Sequence, residues 1–213
     1  MDTVKEKVTK FFNQSKLQVY KKGEILIRAD ENPIGIFYLK EGLVKEYAIS
    51  KKGEEIVVNI FKPDSFFPMS WAITNTQNIY YYEATSEIKI CRASKENVLS
   101  FIKQNPDVLY DLLSRVYLGA DGMITRMVYL MSESAYDRLI VELLIHIRRL
   151  GTREDKSYKV ELIERDLASR SGMTRETVSR ELKKLSNKGL VKLSRNILTV
   201  DNIDLLEKEL SSI

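Results

Sequence analysis

The apolar residues of this chain change period once, near residue 94, and that change limits the folds open to it. Before it, apolar residues cluster in six short runs, Glu24–Arg28, Gly35–Leu39, Leu43–Ile49, Glu55–Phe61, Ile79–Thr85 and Glu87–Arg92. The runs are rich in Ile, Val, Tyr and Phe, and turn signals such as Lys22-Gly23, Glu31-Asn32-Pro33, Glu41-Gly42, Lys52-Gly53 and Lys62-Pro63-Asp64 separate them. Many short strands at regular spacing predict a sandwich or barrel. A short helix through Phe11-Phe12 is expected to pack across it. From Lys95 onward the strand alternation stops, and apolar residues recur at helical steps.

Ser94 reads as the N-cap of a helix over Lys95–Gln104, and Asn105-Pro106-Asp107 starts a second one. Along that second helix Leu109, Leu113, Val116, Ala120, Met123, Met127 and Leu130 follow at steps of 4, 3, 4, 3, 4 and 3. This is a heptad seam over three repeats, and it predicts a homodimer paired through the helix. Leu112, Ile124 and Val128 lie beside the seam and are expected to face the β-domain. Gly119 and Gly122 flank Ala120 and weaken the helix locally. Ser132-Glu133-Ser134 is a polar break that reads as a hinge. A helix with Leu139, Ile140, Leu143, Leu144 and Ile147 along one side follows over Tyr136–Leu150. Gly151–Ser157 reads as an exposed charged loop. The domains expected are 1–105 (β-rich), 106–133 (dimerisation helix) and 134–213 (C-terminal domain).

Composition excludes several classes. Of 213 residues, 44% are hydrophobic and 30% charged, as in a globular protein. Cys91 is the only cysteine and His146 the only histidine, so one chain holds no disulfide and no zinc or iron–sulfur site built from Cys and His. No metal or cofactor set is read from the sequence. The apolar stretch Leu139–Ile147 is broken by Glu142 and is about half the ~20 residues that a membrane span needs. MDTVKEKVTKFF lacks an apolar signal core, so the expected location is the cytoplasm. The net charge of +4 says little, but its distribution says more. Between Arg165 and Arg195 nine basic residues face three acidic ones, a local net of +6, the footprint of a nucleic-acid contact.

The stretch ERDLASRSGMTRETVSRELK, Glu164–Lys183, fits a helix-turn-helix at its steric positions. Ala168 is the small residue at the helix crossing, Gly172 supplies the turn, Thr174 caps the second helix and Val178 plugs it into the first. At 100° per residue from Arg175, Val178, Leu182 and Leu185 fall between about 280° and 340°, while Arg175, Glu176, Ser179, Arg180 and Lys183 fall between 0° and about 140°. One arc buries. The other carries groups that read base edges: Arg donates twice to guanine and a carboxylate accepts from cytosine. Beyond Asn187-Lys188-Gly189, Leu190–Leu193 and Ile197–Val200 alternate around Ser194-Arg195-Asn196, a β-hairpin wing. The candidate DNA-binding residues are Thr174, Arg175, Glu176, Thr177, Ser179, Arg180, Lys183, Lys192 and Arg195. The last three are assigned to phosphates.

A β-roll, an Asn-Pro-Asp-started helix and a winged helix carrying RETVSREL resemble the Crp/Fnr superfamily of bacterial transcription regulators. The resemblance covers nearly the whole chain. It implies an α+β protein: an N-terminal cyclic-nucleotide-binding-like β-roll (jelly roll), a long dimerisation helix and a C-terminal winged helix-turn-helix. It also implies double-stranded DNA and RNA polymerase as partners, and an inverted-repeat site with a TGA/TCA core. Arg175 matches the cyclic-AMP receptor branch, Ser179 before Arg180 the fumarate–nitrate branch, and Glu176 and Arg180 both. Glu181 departs from the apolar residue usual in the family, leaving Leu182 and Leu185 to hold the helix.

Other departures bear on the effector. In register from Ala84-Thr85, the clamp Glu of the cyclic-AMP branch falls at Pro68 and its Arg-Ser pair at Asn78-Ile79. The hydroxyl pair that meets adenine is replaced by Met123-Ile124. Cyclic AMP is therefore not the expected effector. The N-terminal cysteines of the oxygen-sensing branch are missing, and His146 lies past the hinge, where a structural role is expected rather than haem ligation. Phe66, Phe67, Trp71, Tyr80 and Tyr82, with Met123 and Ile124, form the candidate effector pocket, although most of these aromatics are expected in the β-roll core. An enzyme is not expected, because the sequence has no phosphate loop, no nucleophile with a His partner and no metal cluster. The competing reading is a ligand-binding or protein-interaction module whose winged helix contacts protein. Arg175, Glu176 and Arg180 favour DNA.

Overall fold

Alternation in one strand sets the layering of the N-terminal part. In the computed structural model, which describes residues 2–132, 134–154 and 157–210, Ile36, Phe37, Tyr38 and Leu39 are all buried. Successive side chains of a strand point to opposite faces, so this run needs a core on each side. The chain forms two compact units, Met1–Val116 and Tyr117–Ile213.

The first unit contains α1 (Val4–Phe12), β1 (Leu17–Tyr20), β2 (Ile25–Ile27), β3 (Ile36–Glu41), β4 (Val44–Ile49), β5 (Glu55–Phe61), β6 (Phe66–Phe67), α2 (Met69–Thr74), β7 (Tyr81–Ala84), β8 (Ile88–Ala93), α3 (Lys95–Gln104) and the start of α4 (Pro106–Ser132). Two antiparallel sheets, ordered β1-β8-β3-β6 and β2-β7-β4-β5, make the β-roll. Phe37, Leu39, Phe67, Ile88 and Ile90 of one sheet meet Ile27, Val44, Tyr82 and Ala84 of the other in the interior. On the outer face Ile36, Tyr38, Phe66 and Cys91 pack with Val8 and Phe12 of α1, Val98 and Ile102 of α3 and Val108 of α4. The expected N-terminal helix is held by a Thr3–Glu6 capping box, and Phe12 stacks on Tyr38 at 4.9 Å. Two short strands, β1 and β6, carry too little alternation to be read from sequence.

The second unit contains the rest of α4, α5 (Ala135–Leu150), β9 (Thr152–Glu154), β10 (Ser157–Glu161), α6 (Glu164–Ser171), α7 (Arg175–Asn187), β11 (Lys192–Ser194), β12 (Ile197–Val200) and α8 (Ile203–Lys208). Leu139, Ile140, Leu143, Leu144 and Ile147 of α5 pack against Leu167, Val178, Leu182, Leu185, Leu198 and Val200. Thr152–Glu154 and Ser157, expected in an exposed loop, instead lie in β9 and β10, which pair antiparallel, and β10 joins the wing strand β12; Asp155 and Lys156 of that stretch lie outside the described residues. The charged residues of β9 concealed this pairing, because an exposed edge strand needs no apolar alternation. The wing strand β11 begins at Lys192 rather than at Leu190, whose N–H instead donates to Leu185 O behind α7. Glu133 of the expected hinge lies outside the described residues.

His146 sits in this core, 6% exposed. Its Nε2 lies 2.8 Å from Glu161 O, and its Nδ1 faces Arg170 Nη2 at 3.3 Å. The first contact needs an N–H and the second a lone pair, so the ring is neutral. Burial, then the Arg170 charge, lowers its pKa to about 4. The unfolded chain, near 6.5, binds the proton first as pH falls. Stability should therefore decline from pH 6.5 to 4, by on the order of 3 kcal/mol from this group. Urea unfolding across that range should show a shallower decline for His146→Gln, which keeps a donor for Glu161 O. Equal slopes would refute the assignment.

Candidate nucleic-acid interface

The helix-turn-helix is set by one backbone conformation. Gly172 ends α6 with φ +63°, the left-handed region that side chains with a Cβ resist. A Cβ there would also stand 3.3 Å from Leu130 Cδ2. Two residues later Thr174 caps α7, its Oγ1 accepting from Thr177 N at 3.2 Å. Val178, Leu182 and Leu185 are buried at 0–3% exposure, which fixes the rotation of α7 about its axis.

The opposite arc faces solvent. Thr174, Arg175, Glu176, Ser179, Arg180 and Lys183 are exposed, as are Lys192 and Arg195 on the wing, while Thr177 is half-buried against the cap. The Arg175 and Arg180 side chains are 73% and 68% exposed. Glu176 pairs with neither Arg180 nor a lysine among the described residues. The backbone N–H at the helix start, then the Thr174 hydroxyl, hold its carboxyl below the usual range. An ionised acceptor thus shares the arc with two exposed guanidinium groups, Arg175 with its Nε 3.6 Å from Glu164 and Arg180 with its Nε 3.4 Å from Glu181. Lys192 reaches Asp201 at 2.6 Å, and Arg195 takes a positive φ of 52° at the wing tip.

Two charges of the basic footprint are not where sequence alone puts them. Arg170 turns inward, 8% exposed, to Glu142, so it adds nothing to the surface potential. Glu181 is 3% exposed beside Leu182 and Leu185, with Lys184 at 2.7 Å and Arg180 Nε at 3.4 Å. It takes the apolar position and also steadies Arg180.

Comparison with known proteins adds the family. A model of the cyclic nucleotide-binding domain matches residues 17–105, and a model of the Crp-like helix-turn-helix domain matches residues 138–209. The chain is 27% identical over 175 residues to the global nitrogen regulator of Synechocystis sp., spanning 78% of this chain and 76% of that protein. It is 20% identical over 187 residues to the fumarate nitrate reduction regulatory protein of Klebsiella oxytoca, spanning 87% and 74%. In fold it is similar to a CooA variant from Carboxydothermus hydrogenoformans, with TM-score 0.78 at 19% identity over 98% of this chain and 96% of that one. The chain belongs to the Crp/Fnr family. Crp/Fnr proteins are DNA-binding transcription regulators, not enzymes. No helix among the described residues of this member is long and apolar enough to cross a membrane.

The Crp/Fnr seam residues on α4 face solvent in the single chain. Leu109, Leu113, Val116, Met123, Met127 and Leu130 are between 38% and 65% exposed, and Ala120 is half-buried. Leu112 packs on the outer β-roll cluster, as expected of it. Ile124 belongs to the second unit and is 59% exposed.

Within the first unit the candidate effector aromatics divide between two clusters. Phe67 and Tyr82 stack at 5.4 Å inside the roll with Tyr80 against them, whereas Phe66 and Trp71 belong to the outer cluster. Met123 and Ile124 are exposed on α4 in the second unit. The Tyr82 hydroxyl donates to Glu46 at 2.7 Å, a buried carboxylate that the sequence reading passed over. At the clamp positions, Asn78 spends its amide on Arg28 O and Tyr80 O, and Pro68 precedes α2. Neither offers a donor fork to a phosphate.

Gly172→Ala should lower the stability of the helix-turn-helix by about 1–2 kcal/mol. Gly172→Asn should cost less, because Asn tolerates the left-handed region while meeting the same Leu130. Chemical denaturation of the two variants measures the difference, and equal losses would assign the effect to the Leu130 contact instead.

Proposed function

We propose that this Crp/Fnr protein is a homodimer that binds an inverted repeat with a TGA/TCA core and regulates transcription from it. The observation that carries the reading is the solvent-facing arc of α7. It holds Arg175, Glu176, Ser179 and Arg180 on a helix whose rotation is locked by its buried side. Arg180 is assigned to a guanine and Glu176 to the cytosine of the opposite strand. Arg175 and Ser179 set the flanking bases. Lys183, Lys192 and Arg195 contact phosphates, with Thr174 and Thr177 at the helix start beside them.

A second copy of the chain is the occupant proposed for the α4 stripe. Contiguous apolar residues at heptad spacing are costly to leave in water, and a parallel pairing presents two α7 helices by a two-fold axis. Such a dimer reads half-sites about one helical turn apart. RNA polymerase is the further partner proposed, and the cytoplasm the location. The effector, where one acts, is other than cyclic AMP, since the clamp positions hold Pro68, Asn78 and Ile79. The aromatics Phe66, Phe67, Trp71, Tyr80 and Tyr82, with Met123 and Ile124, remain the candidates for its contacts.

Two experiments test these assignments. Val116→Glu with Met123→Glu places like charges in the seam and should yield monomers in sedimentation. A dimer that persists would overturn the seam. Selection from a random DNA pool should enrich a dyad-symmetric motif. Arg180→Ala should cost on the order of 1–3 kcal/mol per half-site and relax the guanine. Lys192→Ala should weaken all sequences alike and lower the salt slope by about one. An unchanged motif in Arg180→Ala would sink that assignment, and a motif without dyad symmetry would sink the dimeric reader.

A further inference from the structure

The core of the second unit holds a carboxylate shared by two arginines from different helices. Glu142 of α5 is 1% exposed. Arg126, from the end of α4 that belongs to this unit, grips it with a fork: Nε to Oε2 at 2.6 Å and Nη2 to Oε1 at 3.1 Å. Arg170 of α6, the first helix of the helix-turn-helix, places its Nε 3.1 Å from Oε1. That N–H finds no aligned acceptor, so the second contact is Coulombic in character. From Arg170 the polar chain continues to His146 and on to Glu161 of β10.

This end of α4 lies outside the apolar core cluster of the unit. The core cluster of the unit draws its residues from α5, α6, α7, α8, β10, β12 and nearby loops, and α4 contributes none. Met127 and Met131 are 60% and 85% exposed. Leu130 also approaches the turn at Gly172, and half-buried Tyr129 lines a small hollow with Arg138, Val141 and Ser171. A buried ion pair adds little net stability but is stiff, because displacing either partner leaves a charge without compensation. A two-point guanidinium fork also restricts angle, which a single apolar contact does not.

We propose that the Arg126–Glu142–Arg170 triad fixes the angle at which α4 holds the helix-turn-helix, and thereby the half-site spacing the protein accepts. Glu142, Arg126 and Arg170 are positioning residues: none is on the base-reading arc, yet the placement of both copies of α7 depends on them. The inference rests on the dimeric reading above. A tilt that moves each α7 by about 1.7 Å in opposite directions along the duplex changes the preferred spacing by one base pair.

The test uses the full chain and inverted repeats whose central spacer is lengthened or shortened by one or two base pairs, with binding followed by fluorescence anisotropy. Wild type should prefer one spacer by about tenfold or more. Arg126→Met cuts only the link to α4 and leaves Glu142 paired with Arg170. It should bind neighbouring spacers within about threefold of the best one. Arg126→Lys, which keeps the charge without the fork, should retain an intermediate preference and serves where the Met variant does not fold. An undiminished preference in both variants would overturn the inference. So would uniform weakening on every spacer, the mark of a merely structural role. A wild type indifferent to spacing would instead overturn the dimeric reading itself.

Discussion

The rotation of α7 about its own axis is the constraint on which the DNA-facing chemistry depends. Burying Val178, Leu182 and Leu185 contributes roughly 1.5–3 kcal/mol each. Rotating the helix by one residue, about 100°, would bury Ser179, Lys183 and Ser186 in their place. No hydrogen-bond partner waits for them in a cluster made of leucine, isoleucine and valine. The apolar side of α7 thus decides, at some distance from any base, that Arg180 and Glu176 share an edge of the helix. Gly172 and the Thr174 cap fix where that helix starts. The wing follows from the same core, because Leu198 and Val200 of β12 are buried in it.

Polar groups in this core serve geometry more than stability. Replacing a buried ion pair as a whole by apolar side chains is often neutral, whereas removing Glu142 alone would strand the charges of Arg126 and Arg170. Glu142, Glu181 and His146 each make directional contacts: Glu142 to two guanidinium groups, Glu181 to Lys184 and Arg180, His146 to a carbonyl and an arginine. A core of Leu and Val tolerates small rotations of its helices at modest cost, whereas a fork at 2.6 and 3.1 Å does not. For a reader of base edges, angle matters as much as stability.

The β-roll shows the same division between packing and chemistry. Its aromatics stack into two clusters on the two faces of one sheet, and Glu46 is the acidic group buried against the interior one, accepting from Tyr82. Next to the interior cluster stand Pro68, which precedes α2, and Asn78, whose amide is bound to backbone carbonyls.

Much of this was legible in the residues themselves. The change of period near Ser94, the Asn-Pro-Asp helix start, the apolar face of α5 and the spacing Ala168–Gly172–Val178 follow from local rules of capping, periodicity and turn sterics, which act within a few residues. So does the content of the exposed arc of α7. The strands β1, β6 and β9 were not legible, because a short or edge strand is made by its partner rather than by its own alternation. By sequence Arg170 counts with the surface charges, and Glu142 is only an interruption in an apolar run. What joins them is a separation of 28 residues along the chain and 3.1 Å in space. The sequence by itself determined the elements, their apolar faces and the base-reading set. Only the tertiary structure decided which charges turn inward. Pairing between distant side chains depends on where packed helices bring them, and no periodicity records that.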